Sequence, residues 1–411
     1  MSAAALSRAM GLKGYDVDDT WLGGDGALYV QVSVPRGTLR CRHCRCHHVH
    51  LHEHKQRFWK GAPLGLTPVD IGMRSPRVKC LSCGKQTWHQ PAFAHGQRQV
   101  TKEFERSLKG WLSRLTIQDA VETFGVSWGT ACDIDLRRLK NLPRPGLAGL
   151  QRLAIDENYL GKTHKYITIV LDLDTKAIVS VTKGRGRAAL KGFFSRLKRA
   201  GASTRAVATD MAGGDIAAVL EHLPKAKLVF DPAVERTPHV IKLMNEKLTA
   251  LRRDLHRELT DQLHRDVLKG IRWLLLMSRE NVAQNAQAED QARLNEALEL
   301  NRPLSTAYYL KEELRLFWKQ PSKPAAEKFL EDWCRRANHS GIRQMQTMAK
   351  TLQSHRYGLL NWYDERISTG PFEGINNKIG ALQRRAYGYR NYEQLKQRLL
   401  TLHHTKFILN G

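Results

Sequence analysis

Two short cysteine pairs, Cys41-Arg42-His43-Cys44 and Cys80-Leu81-Ser82-Cys83, have spacing that points to chemistry. Each pair sets two thiolates on one tight turn, and two such turns complete the tetrahedral sulfur set that zinc prefers. In a chain without an evident export signal, this spacing reads as metal ligation rather than disulfides. Cys41, Cys44, Cys80 and Cys83 are therefore expected to hold one structural zinc in a ribbon, with residues 72–79 as one of its strands. Between the pairs lie Cys46, which could compete for a ligand position, and a histidine tract. Alternation puts His48, His50, His52 and His54 on one strand face, as a solvated, partly protonated surface or as further ligands.

Three acids form a second candidate set. Asp156 follows the apolar run Leu153-Ala154-Ile155, Asp210 follows Ala206-Val207-Ala208-Thr209, and Glu373 stands just beyond Gly370-Pro371. Carboxylate oxygens suit Mg2+ or Mn2+, and a pair of such ions can activate the attacking oxygen and stabilise the leaving oxygen of a phosphoryl displacement. Taken singly, a strand-end Asp is a loop or cap residue, and Glu373 complements a helix dipole.

The order of elements makes the acids a set. Strands at 153–157, 165–172 and 177–182 follow at hairpin spacing, then helix 188–200, strand 206–210, helix 214–223 and strand 226–231. A three-strand meander followed by alternating helix and strand predicts an α/β core of the RNase H-like kind. There Asp156 lies on the central strand and Asp210 at the end of its neighbour, while Glu157 points to the opposite face. Upstream, Phe104, Leu108, Trp111 and Leu112 share a helix face, and a second helix opens near Leu115. Gly125 turns the chain and Ser127 caps a third helix; the three are expected to make a helix-turn-helix that reads DNA through Ser127, Trp128 and Thr130, the alternative being an ordinary three-helix packing element. After the core, Met244, Leu248, Leu251, Leu255, Leu259 and Leu263 form an amphipathic stripe in an all-α insertion. That stripe serves as core, or as a platform for DNA or a second protomer. The expected domains are the ribbon (1–98), the helix-turn-helix (99–147), the first part of the core (148–239), the insertion (240–358) and a C-terminal helical part with the third acid (359–411).

Charge supplies the partner. Lys and Arg number 66 against 40 Asp and Glu, a formal net charge of +26, which favours a polyanion such as DNA. No apolar run approaches the ~20 residues of a membrane span, and no secretory signal is evident, so a cytoplasmic protein associated with the chromosome is expected. The absence of a GxxxxGK[ST] loop argues against nucleotide-driven chemistry.

The chain resembles the insertion-sequence transposases of the ISL-three family. The residues that carry the likeness are Ala154-Ile155-Asp156-Glu157, His164-Lys165-Tyr166, Thr209-Asp210-Met211, His239-Val240-Ile241-Lys242-Leu243, Glu373-Gly374-Ile375-Asn376-Asn377-Lys378-Ile379 and Arg385-Ala386-Tyr387-Gly388-Tyr389-Arg390-Asn391. The resemblance implies a metal-dependent DNA transposase that binds the terminal inverted repeats of its own element, with catalytic acids at Asp156, Asp210 and Glu373. Two magnesium ions, double-stranded DNA and a homodimer or higher oligomer on that DNA come with it. Asn376, Asn377, Lys378 and Arg385 are expected to face DNA. One departure stands out: the family's Asp, two residues, then His becomes Asp231 and His239 separated by a stretch with Pro232 and Pro238. On that stretch rests the alternative, a DNA-binding protein derived from a transposase with a silent active site.

Overall fold

The computed structural model describes residues 7–161, 165–211, 213–230, 239–389 and 391–404. His164, Asp231 and the stretch 232–238 lie outside the described residues, as does the side chain of Leu263. The chain divides into two compact units, Met1–Leu142 with Gln383–Tyr389 and Thr405–Gly411, and Pro143–Leu382 with Arg390–His404.

In the first unit, β1 (Asp16–Leu22), β2 (Leu28–Ser33), β3 (Val49–Leu64), β4 (Thr67–Cys80) and β5 (Gln86–Trp88) form a mixed sheet. Its order is β1-β2-β4-β3, with β5 beside β4. The long β3–β4 hairpin turns at Gly65, whose φ of 62° suits a residue without a Cβ. Val30, Val32, Trp59, Ile71 and Met73 alternate inward from β2, β3 and β4 to form its core.

Three helices follow: α1 (Lys102–Trp111), α2 (Ile117–Phe124) and α3 (Trp128–Lys140). Thr116 and Asp119 close a reciprocal capping box at the start of α2, which ends on Gly125 at φ 57°. Phe104, Leu108, Leu112, Ile117, Ala120, Val126, Ala131 and Ile134 are the buried faces that hold the three together. Glu105, 3% exposed, is bonded by Arg98 (2.9 Å) and Arg137 (3.3 Å), so its burial does not leave a bare charge.

In the second unit, β6 (Arg152–Gly161), β7 (Lys165–Asp172) and β8 (Ile178–Lys183) form an antiparallel meander. The chain then runs through α4 (Arg187–Arg199), β9 (Ala206–Thr209), α5 (Gly213–His222) and β10 (Lys227–Phe230). Both later strands join in parallel, which gives the order β10-β9-β6-β7-β8 and puts β6 at the centre.

Helices α6 (His239–Glu258), α7 (Gln262–Gly270), α8 (Arg272–Leu276), α9 (Arg279–Asn285), α10 (Ala288–Leu300), α11 (Arg302–Leu314), α12 (Lys323–His339), α13 (Arg343–Ser354) and α14 (Arg356–Asn361) come next. The amphipathic stripe is interrupted between α6 and α7, and its residues Met244, Leu248 and Leu251 are buried. They share one apolar cluster with Leu153, Ile155, Phe193 and Val207 of the sheet layer and with Trp333 of the insertion. The stripe is core. Finally α15 (Pro371–Arg385) and α16 (Tyr392–Leu400) close the chain, with α16 packed on β8.

Candidate active site and metal centre

The hairpin explains how cysteines so far apart in sequence meet. One pair precedes β3, the other sits at the end of β4, and Val49 pairs with Cys80 at the open end of the ladder. The two turns share a backbone pattern. The N–H of Arg45 donates to the Cys41 carbonyl and that of Gly84 to the Cys80 carbonyl, both at 3.0 Å. The residues after the second cysteines, Arg45 and Gly84, have φ of 60° and 69°. Backbone N–H groups also donate to sulfur: His43 to Cys41 at 3.4 Å and Cys83 to Cys80 at 3.3 Å. Backbone donation, from Cys44 and then His43 to Cys41 and from Cys83 to Cys80, holds both thiols below their ordinary value against the effect of burial.

The sulfurs of Cys41, Cys44, Cys80 and Cys83 lie within 4.8 Å of one another, a span and donor set that fit one tetrahedral zinc. Cys46 stands outside this set, although its sulfur is 3.3 Å from both Cys44 and Cys80. The histidine tract differs from the expected single face. A register shift between Leu51 and Glu53 falls on His52 and breaks the alternation, and His48, His50, His52 and His54 are exposed. They join no ligand group among the described residues.

Asp156 occupies the middle of β6, Asp210 directly follows β9, and Glu373 lies in the first turn of α15. Both oxygens of Asp156 accept hydrogen bonds: Oδ1 from the Glu157 backbone N–H at 2.9 Å and Oδ2 from Asn376 Nδ2 at 3.0 Å. Asn376 in turn accepts from Asn158 Nδ2 at 2.8 Å. Glu157 turns elsewhere, accepting the Gly186 N–H ahead of α4 at 2.8 Å. Burial pushes the Asp156 carboxyl up to about 6, against the hydrogen bonds from Asn376 and Glu157, and the charges of Asp210 and Glu157 raise it further. Asp215 in the first turn of α5 is 1% exposed, with an Oδ1 that has no hydrogen-bond partner among the described residues. Burial first, then Glu157, Asp210 and Asp156, push its carboxyl up to about 7.

Glu157 and Asp210 thus raise the cost of ionising Asp156 and Asp215, as the upward shifts of those two record. Hard carboxylate oxygens under mutual repulsion suit a divalent cation in kind. Their closure is incomplete, because among the described residues the cysteines are the one group of three or more ligand atoms gathered within 4.8 Å.

The other residues expected at DNA take varied places. The Ser127 hydroxyl accepts the Thr130 N–H at 3.2 Å and meets the Thr130 hydroxyl at 2.9 Å, so both serve the start of α3. Trp128 is 47% exposed. Asn377, Lys378 and Arg385 are exposed on α15, whereas the Asn376 amide is engaged between Asp156 and Asn158.

A family model described as a transposase matches residues 153–399, a span that holds all three acids. The transposase for insertion sequence element IS1001 of Bordetella parapertussis is 30% identical over 391 residues, covering 93% of this chain and 94% of that one. The chain belongs to the ISL-three family of insertion-sequence transposases. A second transposase, for insertion sequence element IS1557 of Mycobacterium tuberculosis, is 26% identical and covers 93% of this chain and 89% of its own. Among solved structures, the Drosophila P element transposase strand transfer complex matches loosely, at a TM-score of 0.36 and 12% identity, over 74% of this chain and 92% of that one. Transposases with the Asp, Asp, Glu triad are in general metal-dependent polynucleotidyl transferases. Among the described residues no helix is long and apolar enough to cross a membrane.

Sequence reasoning missed Asn158 and Asp215 in this transposase. Asn158 carried a usable signal, since it shares a strand face with Asp156 at a spacing of two. Asp215 reads in sequence as an ordinary acid at a helix start.

Proposed function

We propose that this chain is a DNA transposase that binds the terminal inverted repeats of its own element and cuts and joins strands at Asp156, Asp210 and Glu373. The observation that carries the reading is the bond from Asn376 to Asp156, which seats the helix bearing Glu373 against the strand bearing Asp156. Glu373 is one turn from Asn376 on the same helix. The strand order β10-β9-β6-β7-β8, with Asp156 on β6 and Asp210 directly after the neighbouring β9, supports an RNase H-like core.

Asp156, Asp210 and Glu373 would hold two magnesium or manganese ions. Bound there, such ions supply an activated attacking oxygen and a stabilised leaving oxygen for in-line displacement. The protein's own part is to set the acids and the DNA. Around half-buried Asp156 the lowered dielectric would strengthen the attraction between carboxylate and cation, offsetting the cost of burying them. Asn377, Lys378 and Arg385 are exposed on the same helix as Glu373, where phosphates would run. The four cysteines would hold structural zinc in a ribbon, and α3, with Trp128 at its start, would read bases at the element ends. The transposase would act on the chromosome in the cytoplasm, as a dimer or higher oligomer on double-stranded DNA.

The test is cleavage of a labelled element-end substrate in magnesium by wild type, Glu373→Gln and Asp231→Asn. Glu373→Gln keeps shape and removes the ligand charge, so cleavage and strand transfer are expected to fall by about 100-fold or more while end binding holds. Normal cutting by Glu373→Gln with a dead Asp231→Asn would overturn this triad. A wild type that binds ends and never cuts would favour the silent-site alternative.

A further inference from the structure

We infer that Asn376 is a positioning residue for Asp156, oriented by Asn158, and that this amide pair sets the site's affinity for a divalent cation. The inference rests on the reading of Asp156 as a cation ligand.

The polarity of the chain of bonds admits one arrangement. An ionised Asp156 accepts and cannot donate, so Asn376 must turn its NH2 towards Oδ2, as it does at 3.0 Å. That turn directs the Asn376 carbonyl at Asn158, which must then offer its own NH2, found at 2.8 Å. Asp156 and Asn158 can share one amide because they lie two apart on β6 and so face the same way. With the Glu157 N–H on Oδ1 at 2.9 Å, the carboxylate is held at both ends. Each oxygen keeps a further lone-pair direction for a cation, now in a fixed orientation. The same amide pins α15, and with it Glu373, to the central strand. Partners that orient a ligand without touching the ion commonly set metal affinity, and their loss costs about 10-fold or more.

The experiment uses the full chain without DNA: thermal unfolding across a manganese titration, for wild type, Asn376→Ala, Asn158→Ala and the double variant. Asn376→Ala is expected to raise the manganese concentration for half-maximal stabilisation by about 10-fold. Asn158→Ala should raise it less, and the double variant should be no worse than Asn376→Ala, because Asn158 acts through Asn376. Cleavage by Asn376→Ala should recover in part at high manganese, which loss of a purely DNA-binding group would not allow. An unchanged half-point overturns the inference, as does strict additivity or a wild type that manganese does not stabilise. If Asn376→Ala fails to fold, the Asn158→Ala half-point decides. A wild type that takes up manganese with these shifts but never cuts refutes the transposase activity and leaves the positioning role standing.

Discussion

Arg45 and Gly84 occupy equivalent places in the two cysteine turns, yet only one is a glycine. The knuckles were legible in sequence because two residues between cysteines fix both thiols on one turn, whatever surrounds them. Which four of five thiols would share an ion was less plain, since Cys46 lies 3.3 Å from two of them. The gathered set excludes it, so Cys46→Ser is expected to retain about one zinc per chain while Cys41→Ser loses it, as metal analysis of purified protein would read. The partnership of Asn376 with Asp156 was not legible. Some 220 residues separate them, and an Asn beside a basic helix reads as a DNA contact until the strand it touches is known.

At the scale of elements, the order of strands and helices in the second unit could be read from apolar runs and breakers, because each run is short and bounded. Two features escaped. The register shift at His52 belongs to the pairing of β3 with β4, so no reading of one strand alone could place it. The break between α6 and α7 interrupts a stripe whose apolar spacing continues without a Gly or Pro. The turn between α2 and α3 was legible because Gly125 is where the chain takes a left-handed φ of 57°. Gly125→Ala meets only the Lys60 Nζ at 3.7 Å, so strain rather than collision sets its cost. A loss of about 1 kcal/mol is expected in denaturant unfolding of the full chain.

For the whole molecule, the sharing of one apolar cluster between the β6–β10 sheet and the helices that follow it could not be inferred, since periodicity shows that a face is apolar and not what covers it. Lys311 lies within the insertion and is fully buried, its ammonium bonded to the Leu275 and Met277 carbonyls and paired with Glu312 at 2.7 Å. Lys311→Met would strand those acceptors, and a loss of about 3 kcal/mol is expected. Burial pushes the Lys311 ammonium down to about 8, against 10.5 for the ordinary group. Between those values the unfolded chain binds more protons, so the margin of wild type over Lys311→Met should widen as pH rises, which paired denaturant melts would reveal. The acids themselves are divided by this insertion, with Asp156 and Asp210 before it and Glu373 and Asn376 after it. Synthesis runs from the N-terminus, and units fold as they emerge. The cysteine turns and the α1–α3 helices would therefore be finished while the proposed site still lacked Glu373 and the amide that bonds Asp156. A nascent transposase would be able to hold DNA well before it could break it.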